Sequence, residues 1–144
     1  MSGNIGELST HFIDSNIWLY AFITGGDELK QARAKTLIQN TPNIVMSTQV
    51  VNEVSANLIR KAGFSESEIQ SLITSFYQQY TIIPFGYEAL ISASRIRDRY
   101  AISFWDSLLV ASALQSEAIT IYSEDMHDGL LVEGTLRVIN PFKR

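Results

Sequence analysis

The chain reads as an α/β protein, a three-layer α/β/α arrangement around a central parallel sheet of four to five strands. Three observations carry that reading. Short β-rich runs alternate with segments of helical period along the sequence, the pattern of strands joined by crossover helices. The prolines, at 42, 84 and 141, stand only where the pattern changes type. No repeat, low-complexity tract or linker divides the 144 residues, a length that suits one domain able to bury roughly two thirds of its unfolded surface.

The first strand is the run 11–14, followed by a helical segment over 16–23. The stretch DELKQARAKTLIQN spaces Leu29, Ala32, Ala34, Leu37 and Ile38 as a helix and ends before Pro42, and NIVMS is a short buried strand. From Ser47, Val50, Val51, Val54, Leu58 and Ala62 share one helical face that stops at Gly63, the residue favoured just past a helix C-terminus. At 100° per residue Glu53 lies about 60° from Val50, at the edge of that face. SESE, residues 65–68, is a Ser-x-x-Glu capping box opening a helix through about Tyr77. YTIIPF is the next strand. A helix over 87–100 turns Ala89, Leu90, Ala93 and Ile96 inward, and ISFWDSLLVASALQSEA is a strongly apolar helix with Asp106 in its first turn. AITIYSED is a β-rich run ending in Glu124 and Asp125, and TLRVINPF supplies a last strand.

Composition narrows the chemistry. There is no cysteine, which excludes disulfides and thiolate sites, and the two histidines, His11 and His127, cannot build a His-rich zinc site. Any metal is therefore held by oxygen. The N-terminal MSGNIGEL lacks the regions of a signal peptide, and no apolar run approaches the ~20 residues that span a bilayer. A cytoplasmic protein without membrane contact is expected. The net charge of -4 argues against a generally basic surface but leaves local basic clusters at Arg60-Lys61, at Arg95, Arg97 and Arg99, and at Lys143-Arg144.

Four carboxylates sit where an α/β sheet gathers its functional groups, at the C-terminal ends of strands. Asp14 ends the first strand, Glu53 rides the helix after the second, Asp106 opens the helix before the fourth, and Asp125 follows that strand. Taken singly each has a plain explanation: Asp14 and Asp106 as helix caps, Glu53 as a solvated face residue, Asp125 as a turn residue. If they converge, two carboxylates about 5 Å apart repel by roughly 3 kcal/mol at an effective dielectric of 20. A divalent ion relieves that repulsion, and carboxylates with water are the ligand set of Mg²⁺ or Mn²⁺. Such an ion activates water against a phosphodiester, which is nuclease chemistry.

At these residues the sequence resembles a PIN-domain ribonuclease of the VapC toxin type. FIDSNIWLYAF is similar to that family's opening strand, STQVVNEV to its Glu-bearing helix, ISFWDSLLVASAL to its Asp-led helix, and IYSEDMHDG to its Thr/Ser-x-Asp turn. The resemblance runs from about residue 11 to the end; residues 1–10 lie outside it and read as an extension. It implies that Asp14, Glu53, Asp106 and Asp125 form a catalytic, metal-binding acidic site for Mg²⁺ or Mn²⁺, with Ser123 and Asn16 in support. Glu124 is the lesser candidate beside Asp125, and Asp128 lies nearby. It further implies an RNA substrate, a cognate antitoxin protein whose tail occupies the groove, and a homodimer packed through the early helices.

Arg95, Arg99 and Trp105 are candidates for RNA contact. Their plain readings are a solvated arginine face, paired with Asp98 and Glu88, and a core tryptophan; His127 reads as an exposed loop residue. Two rival functions remain. A haloacid-dehalogenase-like phosphotransfer enzyme wants a second Asp where Asn16 stands, which disfavours it. A non-catalytic RNA-binding or protein-interaction domain of the same fold has no use for four acids.

Overall fold

The computed structural model describes residues 9–143. Residues 1–8, most of the expected N-terminal extension, lie outside the described residues, whereas Thr10 already opens the first strand. In chain order the elements are β1 (Thr10–Ile13), α1 (Ser15–Phe22), α2 (Glu28–Asn40), β2 (Ile44–Ser47), α3 (Thr48–Ala62), α4 (Glu66–Gln79), β3 (Thr81–Ile83), α5 (Tyr87–Arg99), α6 (Phe104–Gln115), β4 (Ala118–Tyr122), β5 (Leu131–Val132) and β6 (Leu136–Ile139). The five expected strands are present. The sixth, β5, is two residues long and exists only through its antiparallel pairing with β6.

Local chemistry sets the helix boundaries. Short acceptor side chains hold the first free backbone N–H groups: Asp27 that of Lys30, Ser47 that of Val50, and Ser103 that of Asp106. The capping box at Ser65 and Glu68 is closed on both sides. Gly63 ends α3 with φ 68° and ψ 27°, a left-handed conformation that costs a glycine nothing.

The sheet runs β3-β2-β1-β4-β6-β5, parallel throughout except at the last pair. From β1 the chain steps outward to β2 and β3, then returns across the sheet to lay β4 on the free side of β1. Because parallel crossovers are right-handed, the outward steps put α1–α4 on one face and the return puts α5 and α6 on the other. The strand order therefore reverses between β1 and β4, and a crevice opens there at their C-terminal ends.

Apolar side chains pack both faces. On the α1–α4 side, Trp18 is 1% exposed, donates its indole N–H to the carbonyl of Ile13 at 3.1 Å, and meets Phe76 and Tyr80 edge to face at 5.3 and 5.2 Å. On the other side residues 107–113 of α6 are buried without interruption. No helix among the described residues is long and apolar enough to cross a membrane.

Candidate functional site

The crevice is built from the end of β1. The Asp14 backbone N–H donates to the Tyr122 carbonyl at 2.9 Å, carrying the β1–β4 pairing one residue past the strand. The Asp14 side chain is 5% exposed and caps α1: Oδ1 accepts from the Ser15 N–H at 2.7 Å, and Oδ2 accepts from the Ser123 hydroxyl at 2.9 Å. Ser123, itself fully buried, also accepts from the Asp125 N–H at 3.3 Å. Asn16 donates its amide to Asp125 Oδ2. One serine and one asparagine thus set the orientation of two acids that lie far apart in sequence.

Each remaining acid arrives on a helix start. Ser47 caps α3 and brings Glu53 in on its second turn; Ser103 caps α6 and fixes Asp106 in its first. Asp14 and Asp106 lie within range of each other's charge and of the charges of Glu53 and Asp125. Burial pushes Asp14 above the ordinary carboxylate range, the hydroxyl of Ser123 and the N–H of Ser15 pull it back, and Asp106 and Asp125 raise it further. Glu53 is raised first by burial, then by Asp14 and Asp106, with Ser15 and Gln49 opposing. Asp106 is raised by burial and by Asp125, with Ser103 opposing.

Among the described residues no three acidic or histidine side chains close into a ready cage for an ion. The donors nonetheless fit a hard divalent cation that keeps part of its water shell: all are carboxylate oxygens, and three of the acids are held where a neighbouring positive charge would favour them. Two buried acceptors on α3, Glu53 Oε1 and Gln49 Oε1, have no hydrogen-bond partner among the described residues. An unpaired buried acceptor is costly, and a hydrated cation supplies what it lacks.

Asp14 also has a consequence for stability. A carboxyl whose folded pKa stands above its unfolded value stabilises the fold below the unfolded value and loses that contribution as pH rises through the folded one. In chelator, the melting temperature of Asp14→Asn should therefore rise relative to the parent as pH is raised from about 4 to about 8. His11, lowered by burial, pulls the opposite way in both proteins and cancels in the difference. A difference that does not change with pH would remove Asp14 from the strained carboxylates.

Other expected residues fall elsewhere. Glu124 accepts from the Tyr20 hydroxyl at 2.7 Å and pairs with Lys30, whose ammonium also lies 5.0 Å from the Tyr20 ring centroid and 5.3 Å from that of Phe142. It is engaged away from the acids, which leaves Asp125 facing them. Asp128 accepts from the Asn140 N–H at 2.7 Å, and His127 is exposed. Arg95 is exposed, while Arg99 pairs with Glu133 at 2.7 Å instead of with Asp98 or Glu88. Trp105, expected in the core, is exposed: Ser103 starts α6 early enough that residues 104 and 105 precede its buried stretch. Sequence reading missed Ser15, Gln49, Lys30 and Tyr20. Only Ser103 had a local signal, a Ser-x-x-Asp spacing to Asp106.

The chain matches the family model of the PIN domain over residues 11–127. No curated protein matches it in sequence. Among solved structures it is similar to a toxin–antitoxin complex from Klebsiella pneumoniae, with TM-score 0.70 and 17% identity over 93% of this chain and 99% of that one. It is similar also to VapC20 of Mycobacterium tuberculosis, described as a sarcin-ricin loop cleaving toxin, with TM-score 0.66 and 18% identity over 80% and 89% of the two chains. FitAcB from Neisseria gonorrhoeae superposes with TM-score 0.65 at 17% identity, covering 92% of this chain and 98% of that one. At such identities the likeness is one of fold.

Proposed function

The chain belongs to the PIN-domain family, and we propose that it is a metal-dependent endoribonuclease cutting single-stranded or loop RNA, the toxin of a toxin–antitoxin pair. The observation that supports this reading is that Asp14, at the point where the strand order reverses, feels the charges of Asp106 and Asp125 and itself acts on Glu53. RNA as substrate is supported by the neighbour described as cleaving the sarcin-ricin loop, and a cognate antitoxin by the neighbour solved as a toxin–antitoxin complex. A second copy of the chain is a further partner, for which Ile59 and Tyr77, exposed on α3 and α4, offer apolar contact.

Asp14, Asp106 and Asp125, with Glu53, would hold Mg²⁺ or Mn²⁺. When bound, such an ion lowers the pKa of water and neutralises charge developing on the phosphodiester. The chain does the rest. Ser123 and Ser15 keep both oxygens of Asp14 in place, and Asn16 holds Oδ2 of Asp125. Glu53, whose buried Oε1 has no hydrogen-bond partner among the described residues, is suited to take a proton from the attacking water at that oxygen. Arg95, exposed on α5, is available to RNA phosphates.

The test is cleavage of a mixed RNA pool by the partner-free protein with Mg²⁺, with Mn²⁺ and with chelator. Discrete fragments that disappear with chelator are expected. Intact RNA in every metal, with protein shown to be folded, would transfer the reading to a non-catalytic RNA-binding or protein-interaction domain.

A further inference from the structure

The first turn of α6 departs from the rest of that helix. Phe104 is 54% and Trp105 65% exposed, although residues 107–113 are all buried. The two rings meet edge to face, 5.2 Å between centroids and 78° between planes. Large aromatic rings left in water contribute little to folding, because burial is what makes them stabilising. Phe104 is nevertheless held in place: the Arg97 guanidinium lies 4.3 Å over its ring and donates to the buried Ser107 hydroxyl at 2.8 Å. The Trp105 side chain has no hydrogen bond and no ring partner except Phe104 among the described residues. Its indole is an open plane, and it immediately precedes Asp106.

We propose that Trp105, braced by Phe104 and Arg97, is a platform on which an unpaired nucleobase of the RNA stacks beside the phosphate to be cut. The inference rests on the ribonuclease reading and adds to it the residue by which the site would tell unpaired from paired RNA. Every base presents a π-face, so an exposed indole binds single strands with little regard to sequence. In a duplex those faces are occupied by neighbouring bases, so the platform discriminates by pairing state. Consecutive residues project about 100° apart around a helix, so the indole and the Asp106 carboxylate leave α6 on neighbouring faces, and a base on Trp105 lies along the strand from a phosphate at Asp106. Arg97 sets a positive charge at the rim of the rings, opposing the repulsion that the acids exert on an RNA backbone. In sequence the two rings are flanked by the polar Ser103 and Asp106, and Arg97 covers Phe104.

The test uses the full chain carrying Asp125→Asn, to keep RNA whole, and a labelled unstructured RNA of about ten nucleotides in Mg²⁺. Trp105→Ala should weaken binding by about 5- to 150-fold, with Trp105→Phe recovering most of it. RNA should quench the tryptophan emission of the parent and not that of Trp105→Phe, whose one remaining indole, Trp18, is buried. A duplex of the same sequence should do neither. With Asp125 intact, Trp105→Ala should raise KM and leave kcat nearly unchanged. Equal RNA affinity of Trp105→Ala and parent, or no RNA binding by either, overturns the platform. So does a Trp105→Ala protein that keeps its RNA affinity and loses a protein partner. Cleavage with KM unmoved leaves the ribonuclease standing without the platform; weakened RNA binding in a chain that never cuts RNA leaves the platform standing without the ribonuclease.

Discussion

Asp106→Asn is expected to lower kcat for RNA cleavage by about two to four orders of magnitude while the protein melts within a few degrees of the parent. The substitution keeps the shape of the side chain and removes its charge. The cap is untouched, since Ser103 accepts from the backbone N–H of residue 106 and not from its side chain. Asp106 is raised by burial and by Asp125, so losing its charge relieves repulsion in the metal-free fold. Initial rates on a mapped RNA, taken beside thermal scans, separate the two effects. A rate equal to the parent's would show that the acids are not the catalytic groups.

The largest loss of stability is expected at Trp18. Replacing it by Ala should cost about 3–5 kcal/mol, from the lost transfer energy and the cavity left between Phe76, Tyr80 and the sheet. For a chain of this size that lowers the melting temperature by about 10–15 °C. The orphaned carbonyl of Ile13, which now accepts the indole N–H, adds to the cost. Because Ile13 directly precedes Asp14, Trp18→Ala should also reduce cleavage at temperatures where the protein is still folded. Chemical denaturation of Trp18→Ala and Trp18→Phe measures this, and a cost below 1 kcal/mol for the alanine variant would show that the cluster repacks freely.

Features encoded by neighbouring residues could be read directly. The capping box at Ser65 and Glu68 and the stop at Gly63 need only a few adjacent positions, and both are found where spacing puts them. The four acids were legible as separate strand-end and helix-start residues, but their approach to one another depends on a return of the chain from β3 to β4 that no local pattern encodes. β5 escaped for a related reason: two residues carry no periodicity, and only β6 makes them a strand. The core reading of Trp105 fails because α6 is apolar almost all round, and a helix without a clear polar face does not say which of its turns lies outside. Glu124 and Asp125 are separated by Lys30 and Tyr20, partners about a hundred residues away that sequence alone could not pair with them.

The reversal of strand order at β1 also fixes when the site comes into being during synthesis. Asp14 is made before the other three acids, and the strand that completes its surroundings, with Ser123 and Asp125, comes more than a hundred residues later. At about 5–20 residues per second, Asp14 waits roughly 6–20 seconds for its partners to be made. For about half of that interval a nascent chain has Asp14 and Glu53 but neither Asp106 nor Asp125, and until its end no complete site exists. A four-acid site built this way cannot assemble until β4 and the turn that carries Asp125 have been polymerised.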